Sequence, residues 1–199
     1  MGTSRAFLAI VPPRAVLDAV GKVAWRAAHR PAELALPRLL SPRWTTREQW
    51  HLTLQFLGSH VDLDAAADAL SSVRGAPARV RLGGIGGFPN ARRATVVWVG
   101  VTEGARELAQ LAASVGEAMA PVVGATGDDA RGGSRGAARA FHAHLTLARL
   151  GRLADLRAAE ESRACARVGP SWIAESLVLF ESVTAAEGAR YRPHAEVAL

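Results

Sequence analysis

The strongest constraint on what this 199-residue chain can fold into is a short duplication. HLTLQFLG at 51–58 recurs as HLTLARLG at 144–151, identical at six of the eight positions. Each copy reads as a strand closed by a glycine, Gly58 or Gly151, and each is followed by a helical stretch and an apolar run. That order predicts a βαβ-like unit occurring twice. Side chains alternate between the faces of a strand. His51 and Thr53 therefore share one face while Leu52, Leu54 and Phe56 take the other, and His144 and Thr146 oppose Leu145 and Leu147 in the same way. If the apolar faces anchor both strands and a pseudo-two-fold axis relates them, two imidazoles and two hydroxyls meet in one cleft. Arg149, five residues after His144, has the wrong parity for that face unless a bulge near Ala148 turns it round.

The rest of the chain supplies strands and helices in alternation, which predicts an α+β or α/β class over one unit, 1–199, with no dividing linker. Arg5 to Val11 reads as a buried strand. Pro12-Pro13 then opens a helix whose Val16, Val20, Val23 and Ala27 fall at helical spacing. Asp62 is the expected N-cap of a helix over 63–73. Strands are expected at 79–82 and 94–101 around a Gly83 to Pro89 turn, and a helix from Glu103 to Met119. The segment 121–139 lacks periodicity and is expected to be a flexible loop. A helix near 153–163 and strands at 175–181 and 191–197 complete the expectation.

Two histidines near their ordinary pKa of about 6.5 can hold opposite protonation states at neutral pH, as a base and an acid for phosphodiester chemistry. The threonine hydroxyls can donate hydrogen bonds to non-bridging oxygens as charge builds there. The near-symmetric motifs leave open which imidazole plays which part. A net charge of +6 and a pI near 11.0 favour a polyanionic partner. Lys22 is the only lysine, so codon bias shares in that arginine-rich charge. With 49% hydrophobic and 21% charged residues, and no apolar run near the roughly 20 of a membrane span, the expectation is a soluble, cytoplasmic, monomeric protein. Cys165, the single cysteine, is expected to be a small core or helix residue, with no disulfide to form.

Other patterns have plainer readings. Gly132-Gly133-Ser134-Arg135-Gly136 fits a nucleophile elbow but lacks the apolar strand that must precede one. His142 and His144 form an H-x-H pair with no further metal ligand in sight, so no metal is expected. Gly83 to Gly86 is a tight turn rather than a KH loop. His29, His60 and His194 are read as surface residues, and Trp25, Trp98 and Trp172 as core. Trp44, Trp50 and Phe141 are candidates to line the cleft.

The two H-x-T-x strands, with Arg43-Trp44 and Glu48 to Trp50 before the first and Phe141 before the second, resemble the 2H phosphoesterases. The likeness is to their LigT-like RNA 2′,3′-cyclic phosphodiesterases, also called 2′-5′ RNA ligases. Arg5 to Ile10, Gly84 to Pro89 with Val96 to Val101, Ser176 to Ser182 and Gly188 to Tyr191 extend the resemblance along nearly the whole chain. The family usually has proline where Ala143 stands. The resemblance implies a bilobal α+β fold of two pseudo-symmetric sheet-and-helix lobes around a cleft. It implies hydrolysis of a terminal 2′,3′-cyclic phosphate to a 2′-phosphate, without a cofactor, on RNA ends or nucleotides. His51 would be the proton donor, His144 the proton acceptor, and Thr53 and Thr146 the phosphate holders. Arg149 would contact phosphate or base. Other possibilities are an RNA-binding module with a vestigial site, or a sibling acting on 2′-5′ linkages or ADP-ribose cyclic phosphate.

Overall fold

The structure is a computed structural model that describes residues 4–123, 141–185 and 188–199. Its elements run β1 (Ser4–Ile10), α1 (Arg14–His29), β2 (Pro42–Trp44), β3 (Leu52–Ser59), α2 (Leu63–Leu70), β4 (Ala78–Phe88), β5 (Ala94–Glu103), α3 (Ala105–Val123), β6 (His144–Ala154), α4 (Arg157–Glu161), β7 (Val168–Ala174), β8 (Ser176–Ala185) and β9 (Gly188–Ala198). They make two antiparallel sheets, ordered β3-β1-β8-β9 and β2-β6-β5-β4-β7. The α+β, two-lobed expectation holds. The two sheets follow one plan, with the motif strand beside β1 in the first and beside β5 in the second; β2 is added outside β6.

The repeated unit differs from the one expected. Helix and strand do follow each motif, but β3 and β4 belong to different sheets. The unit that recurs is strand, long helix, motif strand: β1-α1-β3 and β5-α3-β6, each strand pair antiparallel. The helices are exchanged. α1 comes from the first sheet and packs against β7 of the second, while α3 comes from the second and packs against β3 of the first. α1 buries Val16, Leu17, Val20, Val23 and Ala27, the predicted stripe and one more. Its contact with β7 is close enough that a Cβ on Gly169 would lie 3.1 Å from Ala19 Cβ.

The Asp62 side chain accepts from the backbone N–H groups of Asp64 and Ala65 at 3.0 and 3.1 Å, as a cap should. Gly83 to Phe88, expected as a turn, instead continues β4 to Phe88. Those glycines make room for neighbours: a Cβ on Gly86 would stand 2.2 Å from the Trp98 ring. β6 runs on to Ala154, so the helix expected from 153 is reduced to α4 and a short 3-10 turn. β2 and β7 were not expected at all, and 121–123 are helical. The expected loop otherwise falls at 124–139, outside the described residues, as does the Gly132 to Gly136 pattern. Trp25 is 50% exposed rather than core, stacked on His29. Cys165 is buried. Among the described residues no helix is long and apolar enough to cross a membrane.

Candidate active site

Both motif strands break their ladder at the same place. In β3, Thr53 lies opposite Ala9 and Gln55 opposite Leu8, so Leu54 is the extra residue; in β6, Thr146 lies opposite Trp98 and Ala148 opposite Val97, so Leu147 is. Each bulge falls on the last leucine of HLTL and reverses the alternation beyond it. Leu54 and Gln55 both turn to the Leu8 side, and Leu147 and Ala148 are both buried. The fifth residue after each histidine thereby returns to the face of the histidine and threonine. Arg149 lies opposite Val96 on the face of Trp98 and Thr146, so the bulge its role requires is present. Phe56 lies opposite Phe7, on the face of Thr53. Its assignment to the anchoring face is thus corrected: Phe56 is exposed at 56%.

On that face His51 stacks on Phe7 at 4.7 Å between ring centroids and meets the edge of Tyr191 at 5.2 Å; Phe180 stacks behind Phe7 at 5.3 Å. His144 meets Phe88 edge-on at 4.7 Å, with Trp98 at 6.3 Å. Each imidazole thus stands against an aromatic wall contributed by the neighbouring strands. Each ring is also hydrogen-bonded to backbone two residues upstream: His51 to Gln49, and His144 through Nδ1 to the His142 carbonyl at 2.7 Å. A Nδ1–H donated to that carbonyl leaves Nε2 of His144 as the acceptor nitrogen of the ring.

Burial drives both histidines below their ordinary value. His51 falls to about 4, chiefly by desolvation, which outweighs the Gln49 backbone; the field of His144 adds to the fall. His144 is lowered by desolvation, against the His142 backbone, with the His142 and Arg149 charges adding to it. The two imidazoles are near enough to repel as cations. Burial raises the Tyr191 hydroxyl, while Arg149 acts in the opposite sense, so Arg149 of β6 reaches the field of both lobes. Arg43 on β2 lies directly opposite Arg149. Neither makes an ion pair among the described residues, and like charges facing across a ladder repel.

The approach to the first motif is tied to the second. The Thr45 hydroxyl donates to the carbonyls of Thr146 and Leu147 at 2.8 and 2.9 Å, and its backbone N–H also donates to Leu147. The same hydroxyl accepts from Trp50 Nε1 at 2.9 Å. One threonine therefore joins the residue preceding His51 to the bulge following Thr146. Gln49 donates to the Ala189 carbonyl at 2.8 Å, which fixes the strand that carries Tyr191.

The four motif residues and Arg149 accordingly share the region between β3 and β6. Trp50 does not line it: the ring is buried, beside Gly21 of α1. Trp44 and Phe141 are half-buried and packed on the core. Phe7, Tyr191, Phe88, Trp98 and Thr45 escape a reading of the sequence, because they reach the site only through strand pairing. Tyr191 carried one signal, as the chain's only tyrosine. Among the described residues no three His, Cys, Asp or Glu side chains gather as a metal set.

The sequence profile of the 2′-5′ RNA ligase superfamily matches residues 19–186. The chain is 35% identical over 105 residues to an RNA 2′,3′-cyclic phosphodiesterase of Aeropyrum pernix, covering 52% of this chain and 54% of that one. It is 36% identical over 77 residues to one of Aquifex aeolicus, covering 37% and 41%. The chain thus spans about half the length of the curated relatives it matches. Among solved structures it is similar to E. coli LigT complexed with ATP, with a TM-score of 0.66 at 26% identity over 99% of this chain and 98% of that one. A Thermus thermophilus protein aligns with a TM-score of 0.74 at 25% identity over 98% and 97%.

Proposed function

Because the chain belongs to the 2′-5′ RNA ligase superfamily, we propose that it hydrolyses a terminal 2′,3′-cyclic phosphate on RNA or a nucleotide to a 2′-phosphate. The observation that carries this reading is the matched pair of imidazoles, each tied to backbone two residues upstream and each walled by aromatic rings. Nε2 of His144 takes a proton from water as the water oxygen bonds to phosphorus. The bond from phosphorus to O3′ breaks, and Nε2 of His51 delivers its proton to O3′. One proton enters the enzyme at His144 as another leaves at His51, and exchange through the histidines or solvent resets the pair. The Thr53 and Thr146 hydroxyls donate to the non-bridging oxygens. The opposed Arg43 and Arg149 gain most when an anion lies near them.

The lowered histidine values suit this cycle only with the anion present. A phosphate monoanion beside two neutral, buried imidazoles favours uptake of one proton, which arms the acid as substrate arrives. The decisive experiment uses a 2′,3′-cyclic-phosphate-ended oligonucleotide in EDTA. His51→Ala and His144→Ala should each abolish turnover while the circular dichroism spectrum stays native. Full activity in either variant overturns the mechanism.

A further inference from the structure

We propose that the protein carries a second phosphate-binding site, away from the two motifs, in a cavity between α1 and the start of β7. The cavity has a volume of about 350 Å³ and is bordered by Lys22 and Arg26 of α1 and, on the facing wall, by Arg167, Val168 and Gly169. None of these residues enters the proposed hydrolysis, and the inference goes beyond that reading without resting on it. In the sheet β7 is separated from β6 by β4 and β5, which puts it three strand spacings, or roughly 14 Å, from the strand of the second motif. The ligand class is a phosphate-bearing anion, supplied either by a free polyphosphate compound or by the backbone of an RNA strand.

Exposed cations on a helix are ordinary; their convergence on one concavity is not. Lys22 and Arg26 stand one turn apart on α1, where like charges repel, and Arg167 adds a third cation from the facing chain. Nothing acidic answers them. Asp18 is the only acid of α1, and Arg47 already holds it. Arg26 donates to the Cys165 sulfur, a weak acceptor, at 3.8 Å, and the other donors of its fork have no protein partner among the described residues. Lys22 and Arg167 form no ion pair among the described residues either. Between the cations the walls are apolar, with Val23 from α1 and Val168 from β7 both buried. A cleft of one sign with low-dielectric walls concentrates its field on an anion that enters it. Gly169 sets the shape. Its φ is +73°, and a Cβ there would lie 3.1 Å from Ala19 Cβ, so a bare backbone lets this wall draw up to the helix. A phosphate suits the arrangement because it accepts from several donors at once, and an arginine fork can grip two of its oxygens. A carboxylate has only two oxygens to share among three cations. The volume lies at the low end of the roughly 300–1,000 Å³ of small-molecule sites, which admits a phosphate group rather than a folded partner.

The test titrates inorganic pyrophosphate and a hydroxyl-ended uridine decamer, by calorimetry, into the wild type, Lys22→Ala/Arg167→Ala and a control, Arg74→Ala/Arg106→Ala. All four side chains are exposed, so the three proteins should melt alike, and the two variants lose the same charge. The cavity variant should bind at least one probe about tenfold or more weakly than the wild type, with the control changed by less than about twofold. A loss greater for pyrophosphate identifies a free polyphosphate compound as the ligand; a loss greater for the decamer identifies RNA. The Gly169 amide resonance of the wild type should shift with the same probe. Four results overturn the proposal: no binding of either probe to the wild type, equal affinities in the cavity variant, an equal loss in the control, or shifts confined to the motif strands. Turnover of adenosine 2′,3′-cyclic phosphate should be the same in the wild type and the cavity variant. A loss of turnover that parallels the loss of binding overturns the separation of the cavity from the cleft. If neither protein turns the substrate over, the phosphodiesterase reading fails instead, and the titrations still decide the site.

Discussion

At His51 the cost of charging a ring buried against Phe7 exceeds what the Gln49 backbone returns, and the folded value drops to about 4. His144 shifts in the same direction for the same leading reason. The form with one proton on the pair is therefore scarce above pH 6.5 in the free protein. Because kcat/KM follows free-enzyme ionisations, it should decline as pH rises from 6.5 to 8. A rate profile that climbs over that interval is incompatible with the scheme. Binding adenosine 2′-monophosphate at pH 7 should draw protons from solution, seen as a heat of binding that changes with the ionisation enthalpy of the buffer. Stability follows the same shift. A histidine whose folded value lies below its unfolded 6.5 contributes fully above about 6.5, and the contribution drains away as pH falls towards about 4. The urea midpoint of the wild type should fall over that window by more than that of His51→Asn.

The motif strands depend on what clasps them. Thr45→Val keeps the shape but removes the hydroxyl that spans Trp50 and the Thr146 and Leu147 carbonyls. A shift well under 1 Å between the two histidines follows, and kcat for the cyclic phosphate should fall about tenfold or more with KM little altered. A change in KM alone would argue against this positioning role. Glycine tests packing: Gly86→Ala drives a Cβ to 2.2 Å from the Trp98 ring and should cost about 1–3 kcal/mol in denaturant unfolding. Gly116→Ala, in α3 with only the Gln55 side chain at 3.8 Å, should gain up to about 1 kcal/mol. These elements also mark what the sequence discloses. The histidines and threonines stand out because the repeat names them, and α1 and the Asp62 cap because their signals are local. Gly83 to Gly87 misleads, since bareness that serves the Trp98 ring reads as a turn. Phe56 is mis-sided because a bulge is a property of two strands, and β1 must be in place before Leu54 can be counted as extra.

Across the whole molecule the net charge of +6 sits mostly on arginines, and RNA longer than one nucleotide should engage more of it than the cleft alone does. For single strands the logarithm of affinity falls by about 0.7 per neutralised phosphate for each decade of salt. Between 50 and 200 mM salt, KM for a cyclic-phosphate-ended oligonucleotide should therefore rise several-fold more than KM for the mononucleotide. Equal salt dependence would mean that only the terminal phosphate is held. Neither sheet is assembled from contiguous chain: β1 lies between β3 and β8, and the helices are exchanged between lobes. Synthesis delivers these parts in an awkward order. A ribosome releases β1 and the first histidine more than a hundred residues before Phe180 and Tyr191, which back that histidine. Until then Phe7 faces water and the His51 ring lacks the surroundings that lower its pKa. A nascent chain halted before β8 should carry both motifs yet turn over none of the proposed cyclic-phosphate substrate, because the aromatic backing of His51 is missing.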